Sequence, residues 1–208
     1  MNRNDILTHA CELYLQGGIE AVSMRRLARD LGVTAPALYK HYGNREEMLL
    51  DVVSEAYRLC GEHLTGALSG RTPRERFRMA GEGYLDFALR HPKFYEMMYA
   101  PAHTLGVKIF PDVVTARMAG VGQFFNDRVR ECIDAGLLQP LDAQEVSLTL
   151  WAHAHGLISI YLRGCLHMDE EAFRSVYFES GWRVLHGMAT PQYEAEKELA
   201  DMAEGASG

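Results

Sequence analysis

The side chains best suited to molecular recognition lie between residues 22 and 49, around a short helix predicted over residues 35–42. At about 100° per residue, Leu38 and Tyr42 fall on one face of that helix, and Lys40 falls on the opposite face. We therefore expect Leu38 and Tyr42 to be buried and Lys40 to point outward. The small side chains of Ala35 and Ala37 allow a helix to approach base edges in the major groove of DNA, where Lys40 could reach guanine acceptors.

Further groups around this helix could bind phosphates. Tyr39 and His41 flank its outer face, where the walls of a groove and their phosphates would lie. Arg25, near the start of the preceding helix, could reach a base or a phosphate. Arg45 begins the following helix, whose free amides could also hold a phosphate. Each of these side chains alone could be a solvated charge or a cover for the core, so the interpretation depends on the arrangement as a whole.

Patterns typical of catalysis or metal binding are weak in the rest of the sequence. His153 and His155 stand two residues apart on a predicted helix and so point to nearly opposite sides. Cys60 and His63 share a face, but no second pair of ligands accompanies them. Without a nucleophile elbow, a phosphate loop or a ligand cluster, we expect no metal, no cofactor and no enzymatic activity.

Helical periodicity dominates the sequence and predicts an all-α fold of about nine helices. Thr34 is placed to cap the short helix, with Pro36 in its first turn. The predicted helices span approximately residues 3–16, 24–31, 35–42, 44–68, 73–90, 93–99, 111–136, 143–165 and 170–188. We expect a three-helix helix-turn-helix head over residues 1–48, a helical domain over residues 49–189, and a frayed polar tail over residues 190–208.

Composition and charge limit the classes of protein that fit. Hydrophobic residues make up 48% and charged residues 24% of the 208 residues, as in an ordinary globular protein. No apolar run reaches the ~18–20 residues that cross a bilayer, and the N-terminus lacks the apolar stretch of a signal peptide. We therefore expect a cytoplasmic protein without a membrane partner. Residues 1–48 are neutral and the remainder carries the net charge of −7, which is less basic than nucleic-acid binders usually are.

The head carries a resemblance to a known family. SMRRLARDLGVTAPALYKHY at residues 23–42, followed by NREEML at residues 44–49, resembles the DNA-binding head of the TetR/AcrR family of transcriptional regulators. RHPKFY at residues 90–95 and LWAHAHGL at residues 150–157 resemble, more loosely, a subgroup of that family with a Trp–His–Gly signature in its C-terminal domain.

The resemblance implies a homodimer that binds palindromic, double-stranded operator DNA, with a small, mostly apolar effector that releases it, as in a repressor. By position it places the DNA contacts at Arg25, Thr34, Ala35, Pro36, Ala37, Tyr39, Lys40, His41 and Arg45. Relatives often have polar base-reading residues where this chain has Ala35 and Ala37. Base specificity is therefore expected to depend on Lys40, Arg25 and the shape of the DNA.

The second predicted domain is expected to bind the effector and a second copy of the chain. Its middle helices are rich in methionine and aromatic residues, which suit an apolar cavity. The candidate lining residues are Tyr84, Phe87, Tyr95, Met98, Phe124, Trp151 and His155. The last two predicted helices carry apolar stripes broad enough to pair with their copies in a dimer. These stripes are Val146, Leu150, Ala154, Leu157, Tyr161 and Cys165 on one helix, and Phe173, Val176, Tyr177, Val184 and Met188 on the other.

Several alternatives stay open at the level of the sequence. The aromatic residues could form an ordinary filled core, in which case the protein would bind DNA constitutively without an effector. The last two predicted helices could be buried within a monomer. A helical enzyme with a vestigial head is a further possibility, although no catalytic motif supports it.

Overall fold

A computed structural model describes residues 2–205, and the regular elements within that range are all helices. The predicted all-α fold is therefore confirmed. The ten α-helices of residues 2–205 are α1 (Arg3–Ala21), α2 (Met24–Asp30), α3 (Ala35–Tyr39), α4 (Arg45–Thr65), α5 (Pro73–Arg90), α6 (Pro92–Met98), α7 (Asp112–Asp134), α8 (Ala143–Leu162), α9 (Glu170–His186) and α10 (Pro191–Gly205). Two short 3₁₀ helices, Gly66–Ser69 and Ala102–Leu105, lie in the connections. None of the helices in the described part of the chain is long and apolar enough to span a membrane.

Side-chain caps explain where several of these helices begin. Thr72 accepts a hydrogen bond from the amide of Glu75 at 3.1 Å at the start of α5. Asp142 accepts from the amide of Gln144 at 2.9 Å at the start of α8, and Asp169 caps α9 in a similar way. These bonds satisfy backbone donors that the first turn of a helix leaves without partners. The predicted starts of α5, α8 and α9 are confirmed.

The chain forms two compact units, and each consists of two separated stretches. The first unit comprises the residues up to Glu62 together with Arg90–Val121. The second comprises His63–Leu89 together with the residues from Gly122 onward. Helices α1, α2, α3 and α6 belong to the first unit, and α8, α9 and α10 belong to the second.

In the first unit, α1 is interrupted where the sequence predicts its end. Gly17 and Gly18 leave the helical conformation, and Gly18 adopts a φ of 69°, which residues other than glycine rarely tolerate. One further turn follows, so that α1 continues to Ala21. The buried face of α1 includes Ile6 and Leu13, which are at most 2% exposed.

In the second unit, α10 replaces the tail predicted for residues 190–208. That prediction is wrong for residues 191–205, which are helical, whereas residues 206–208 lie outside the described range. Tyr193 is 5% exposed, and its ring stacks on Trp182 with the two centroids 5.5 Å apart. The hydroxyl of Thr190 donates to the carbonyl oxygen of Gly136 at 2.7 Å. These contacts attach the segment to the core although its composition is polar.

Candidate functional site

A tight turn joins α2 to α3. The amide of Val33 donates to the carbonyl oxygen of Ala28 at 2.9 Å, and that of Gly32 to the carbonyl oxygen of Arg29 at 3.1 Å. This pair of bonds is the Schellman arrangement that ends many helices, and it requires a left-handed residue at the position of Gly32. Gly32 has a φ of 67°. The turn thereby fixes the direction in which α3 leaves α2.

The orientation predicted for α3 is confirmed. Leu38 is 0% and Tyr42 is 1% exposed, whereas Tyr39 and Lys40 are exposed. The Tyr42 hydroxyl donates to Asp51 Oδ2 at 2.9 Å. Burial and the Asp51 carboxylate raise the pKa of Tyr42, so its hydroxyl keeps the proton that it donates. Leu38 and Tyr42 therefore anchor a short helix whose opposite side carries Lys40.

The cap predicted for α3 is wrong in one respect. Thr34 occupies the N-cap position, but its side chain accepts no hydrogen bond from the described part of the chain. Pro36, two positions later, has no amide hydrogen to donate. The amide of Ala37 donates to the backbone carbonyl of Thr34 at 3.0 Å. The exposed Thr34 hydroxyl is therefore not used as a cap.

The exposed cations of the head differ in whether an acidic side chain lies beside them. Arg26 and Arg29 both lie beside Asp30, at 3.6 Å and 3.0 Å, as expected of charges on a solvated face. Arg25 and Lys40 are exposed, and among residues 2–205 no carboxylate lies within 4 Å of either side chain. Their charges are consequently available to an anion such as a phosphate, or to acceptors on a base edge.

Arg45 has a structural role that the sequence did not predict. Its Nε donates to the carbonyl oxygen of Val22 at 2.7 Å, and its Nη2 to that of Ile19 at 2.6 Å. It thus holds the connection between α1 and α2 against the start of α4. The start of α4 also has fewer free amides for a phosphate than predicted, because the amide of Glu47 already donates to the Asn44 side chain at 2.8 Å.

Arg3 is a second positioning residue that the sequence analysis missed. Its guanidinium donates to Asp51 at 3.0 Å, to Glu47 at 2.9 Å and to the carbonyl oxygen of His41 at 3.0 Å. Its central carbon lies 4.3 Å from the centroid of the Tyr42 ring. Arg3 therefore braces the end of the α3 segment. Its partners lie more than 35 residues away along the chain, where no local pattern could have indicated them.

The second unit contains a cavity of about 470 Å³ between α5, α7, α8, α9 and α10. Most of its wall is apolar and aromatic, and charged side chains contribute the remainder. The lining residues include Arg74, Phe77, Arg78, Glu82, Tyr84, Phe125, Leu150, Trp151, His153, Tyr177, Phe178, Glu179, Trp182, Leu185, Tyr193, Lys197 and Asp201. A cavity of this size and composition suits a small organic ligand.

Comparison with known proteins decides the family. A family model described as "Bacterial regulatory proteins, tetR family" matches residues 6–52, and one described as "Tetracyclin repressor-like, C-terminal domain" matches residues 77–185. The second match alone covers more than half of the chain. The chain belongs to the TetR family of transcriptional regulators. The match indicates a DNA-binding regulator with a helix-turn-helix head, and not an enzyme.

Individual relatives agree with this assignment. An uncharacterized HTH-type transcriptional regulator of Bacillus subtilis, YobS, is 19% identical over 83% of this chain and 85% of its own length. The HTH-type transcriptional activator FasR of Mycolicibacterium smegmatis is 26% identical over 60% of this chain and 57% of its own length. A solved structure of a protein of unknown function from Rhodococcus sp. RHA1 has a TM-score of 0.78 and 25% identity, and the match covers 90% of this chain and 95% of that one.

The cavity of this TetR-family regulator differs from the one predicted. Tyr84 and Trp151 line it as expected, but Phe125 lines it instead of Phe124 and His153 instead of His155. His155 stacks on Trp151 instead, with the ring centroids 5.4 Å apart. Successive residues of a helix point about 100° apart. A prediction that is wrong by one or two residues therefore selects a side chain on another face of the helix.

Three further predicted lining residues belong to the core of the regulator. Phe87, Tyr95 and Met98 are at most 2% exposed and do not contact the cavity. Tyr95 and Met98 lie on α6, in the first compact unit, whereas the cavity lies in the second. Aromatic and methionine content indicated burial correctly but could not distinguish a filled core from a cavity wall.

The apolar stripes predicted to form a dimer are buried within the chain only in part: Leu157, Val176, Val184 and Met188 are half-buried, and Cys165 is exposed. Phe173, Tyr177 and Val146 are at most 7% exposed, and Tyr161 stacks on Phe173 with the ring centroids 3.9 Å apart. Leu150 and Ala154 line the cavity. The apolar residues that α8 exposes are different ones, and they include Leu148, Ala152 and Ile160.

Proposed function

We propose that this regulator is a repressor that binds a palindromic operator as a homodimer and that a small, mostly apolar effector releases it. The observation that carries the proposal is the exposed Lys40 on a short helix anchored by buried Leu38 and Tyr42. A helix presented in this way, after a glycine turn, fits the major groove. A DNA-binding regulator acts where the chromosome is, so the proposal places the protein in the cytoplasm.

The cavity supports the effector and argues against constitutive DNA binding. The space of about 470 Å³ in the second unit is lined mostly by apolar side chains and is large enough for a small organic ligand. An effector releases the operator only if it binds the released form more tightly than the DNA-bound form, and nearly complete release requires a preference of roughly 10⁴-fold. FasR is named an activator. The direction of regulation is therefore a separate question from effector binding.

The exposed side of α8 supports the proposed dimer. Leu148 is 60% and Ile160 is 44% exposed, and Ala152 and Gly156 lie between them at spacings of four residues. Such spacing places all four on one side of the helix. Small residues at the centre of the stripe would let a second helix approach closely. We propose that α8 pairs through this stripe with its copy, with Phe178 of α9 beside it.

The dimer surface can be tested by introducing charges. Changing both Leu148 and Ile160 to glutamate should convert the protein to a monomer, because like charges would meet across the twofold axis without a partner. Sedimentation at micromolar concentration should give the wild type twice the chain mass of 23.4 kDa. The variant should sediment with the mass of one chain. Leu199→Glu, at a site 68% exposed on α10, is the control and should stay dimeric. A wild type that sediments only at the single mass would contradict the proposal.

The DNA-binding role can be tested at Lys40. An operator should first be selected from a random library of DNA duplexes, and binding then measured by fluorescence anisotropy. Lys40→Ala should weaken operator binding by about 1–3 kcal/mol, which is roughly 5- to 150-fold, and should abolish the preference for guanine at one position in each half-site. A loss that is equal for all sequences would assign Lys40 to a phosphate instead. Unchanged binding would exclude both roles.

Arg45→Ala provides the contrasting variant for this experiment. Because Arg45 donates to the backbone carbonyl oxygens of Ile19, in the last turn of α1, and of Val22, just after α1, its loss should lower thermal stability. Lys40→Ala removes an exposed side chain and should leave the melting temperature unchanged. The two variants therefore separate DNA contact from support of the head.

A further inference from the structure

The cavity wall holds one cation whose charge the neighbouring side chains do not balance. Arg74, in the first turn of α5, is half-buried, and its Nε is fully buried without a hydrogen-bond partner in the described structure. No carboxylate among the described side chains lies within 4 Å of its guanidinium. The other charged residues of the wall are paired: Arg78 with Glu82, Lys197 with Asp201, and Glu179 with Arg183. An anionic ligand in the cavity would supply the opposite charge that this guanidinium lacks.

The cations beside the aromatic rings of the wall also influence which ligand charge the cavity favours. The guanidinium carbon of Arg74 lies 5.6 Å from the centroid of the Tyr193 ring, which stacks on Trp182. The ammonium nitrogen of Lys197 lies 5.6 Å from the Trp182 ring centroid. Ring faces attract cations, but here two cations of the protein already occupy that role. Because Asp201 balances Lys197, Arg74 is the cation of the wall that would repel a positively charged ligand and attract an anion.

We propose that the cavity binds a flat, largely apolar carboxylic acid in its anionic form, with the carboxylate paired to Arg74 and the ring system lying among the aromatic side chains. This inference rests on the proposed effector-binding function and specifies the chemical class of the effector. Guanidinium groups bind carboxylates through two parallel N–H donors, and the guanidinium of Arg74 has no carboxylate partner among the described side chains. The predominantly apolar wall accommodates the remainder of the ligand.

The charge requirement can be tested on the full chain without DNA. Titration calorimetry at pH 7.5 should compare 2-naphthoate with 2-naphthamide, and biphenyl-4-carboxylate with its primary amide. Each pair has the same shape and differs in charge. We expect at least one carboxylate to bind about tenfold more tightly than its amide, because a hydrogen bond to a charged group is stronger than one to a neutral group. Equal binding of the two members, or no binding of either carboxylate, would overturn the inference.

The Arg74→Gln variant tests whether Arg74 is the residue that makes the cavity prefer a carboxylate to an amide. The variant should bind the carboxylate and the amide with affinities within about twofold of each other. Arg71→Gln removes the same charge from an exposed position three residues earlier and should keep the preference. A preference that persists in Arg74→Gln would overturn the inference. If Arg74→Gln does not fold, the comparison of carboxylate and amide on the wild type still decides whether the site selects an anion.

The inference and the proposed function can fail independently. Operator binding should be measured by anisotropy with and without the carboxylate that binds most tightly. If that carboxylate binds through Arg74 but leaves operator affinity unchanged, the site selects anions but the release mechanism is wrong. If the amide binds as well as the acid and both release the operator, the regulator is ligand-responsive but the proposed ligand class is wrong.

Discussion

Replacing Gly83 with alanine is expected to lower the free energy of unfolding by about 3 kcal/mol. Gly83 lies in α5, where a Cβ atom would stand 2.4 Å from the carbonyl oxygen of His63 and 3.1 Å from its carbonyl carbon. Both atoms belong to the backbone near the end of α4, so no side-chain rotation can relieve the overlap. The helix or the connection must move, and the gain of about 1 kcal/mol in helix propensity does not offset that cost.

Gly81→Ala is the matched control for this prediction. Gly81 lies in the same helix, two residues earlier, and a Cβ atom there would meet nothing within 4 Å. Its substitution should gain up to about 1 kcal/mol of helix propensity without a clash. Both melting temperatures should be measured at one protein concentration, since the proposed dimerisation would make stability depend on concentration. We expect Gly83→Ala to melt about 6–12 °C below the wild type and Gly81→Ala to melt at or above it. Equal melting temperatures would contradict the close approach of α4 and α5.

The residues that could be predicted from the sequence are those whose partners are close along the chain. The Gly32 turn, the caps at Thr72 and Asp142, and the burial of Leu38 and Tyr42 all follow from helical spacing or from contacts within about four residues. Local rules therefore located the head of the regulator and the outward face of Lys40. The same rules gave most helix boundaries to within a few residues.

The features that the sequence did not reveal depend on contacts between distant parts of the chain. Arg45 has the residue type and position of a phosphate-binding side chain, and only its bonds to Ile19 and Val22 identify a structural role. The cavity has the same aromatic composition as the core. Its position depends on how five helices pack, and periodicity does not contain that information. Arg74 is a candidate ligand-binding residue only because it lies beside the cavity and the Tyr193 ring, and neither neighbour can be predicted from the sequence.

Helix α10 is the clearest case of tertiary contacts overriding composition. Residues 191–205 are mostly polar, and a segment with few apolar residues is usually expected to be disordered. A single aromatic side chain changes the outcome. Tyr193 joins a buried cluster that includes Val129, Cys132, Leu138 and Leu185. Burial raises the pKa of its hydroxyl to about 12, which is a further sign that the ring lies away from water.

Tyr193→Ala is accordingly expected to lower the free energy of unfolding by about 3–5 kcal/mol, as large-to-small changes in cores do. The substitution removes the ring that stacks on Trp182 and leaves a space in the cluster that Tyr193 helps to fill. Leu199→Ala is the control on the same helix, where the side chain is 68% exposed and the change should stay within about 0.5 kcal/mol.

Thermal unfolding without ligand distinguishes a docked helix from a tail. If α10 is part of the folded core, Tyr193→Ala should melt at least 6 °C below Leu199→Ala, by the usual relation of about 2–4 °C per kcal/mol for chains of this length. If residues 191–205 were a tail, both variants would have the melting temperature of the wild type. Tyr193→Phe keeps the ring and removes the hydroxyl, so it should stay close to the wild type. A large loss in Tyr193→Phe would mean that the hydroxyl, rather than the stacked ring, holds the helix in place.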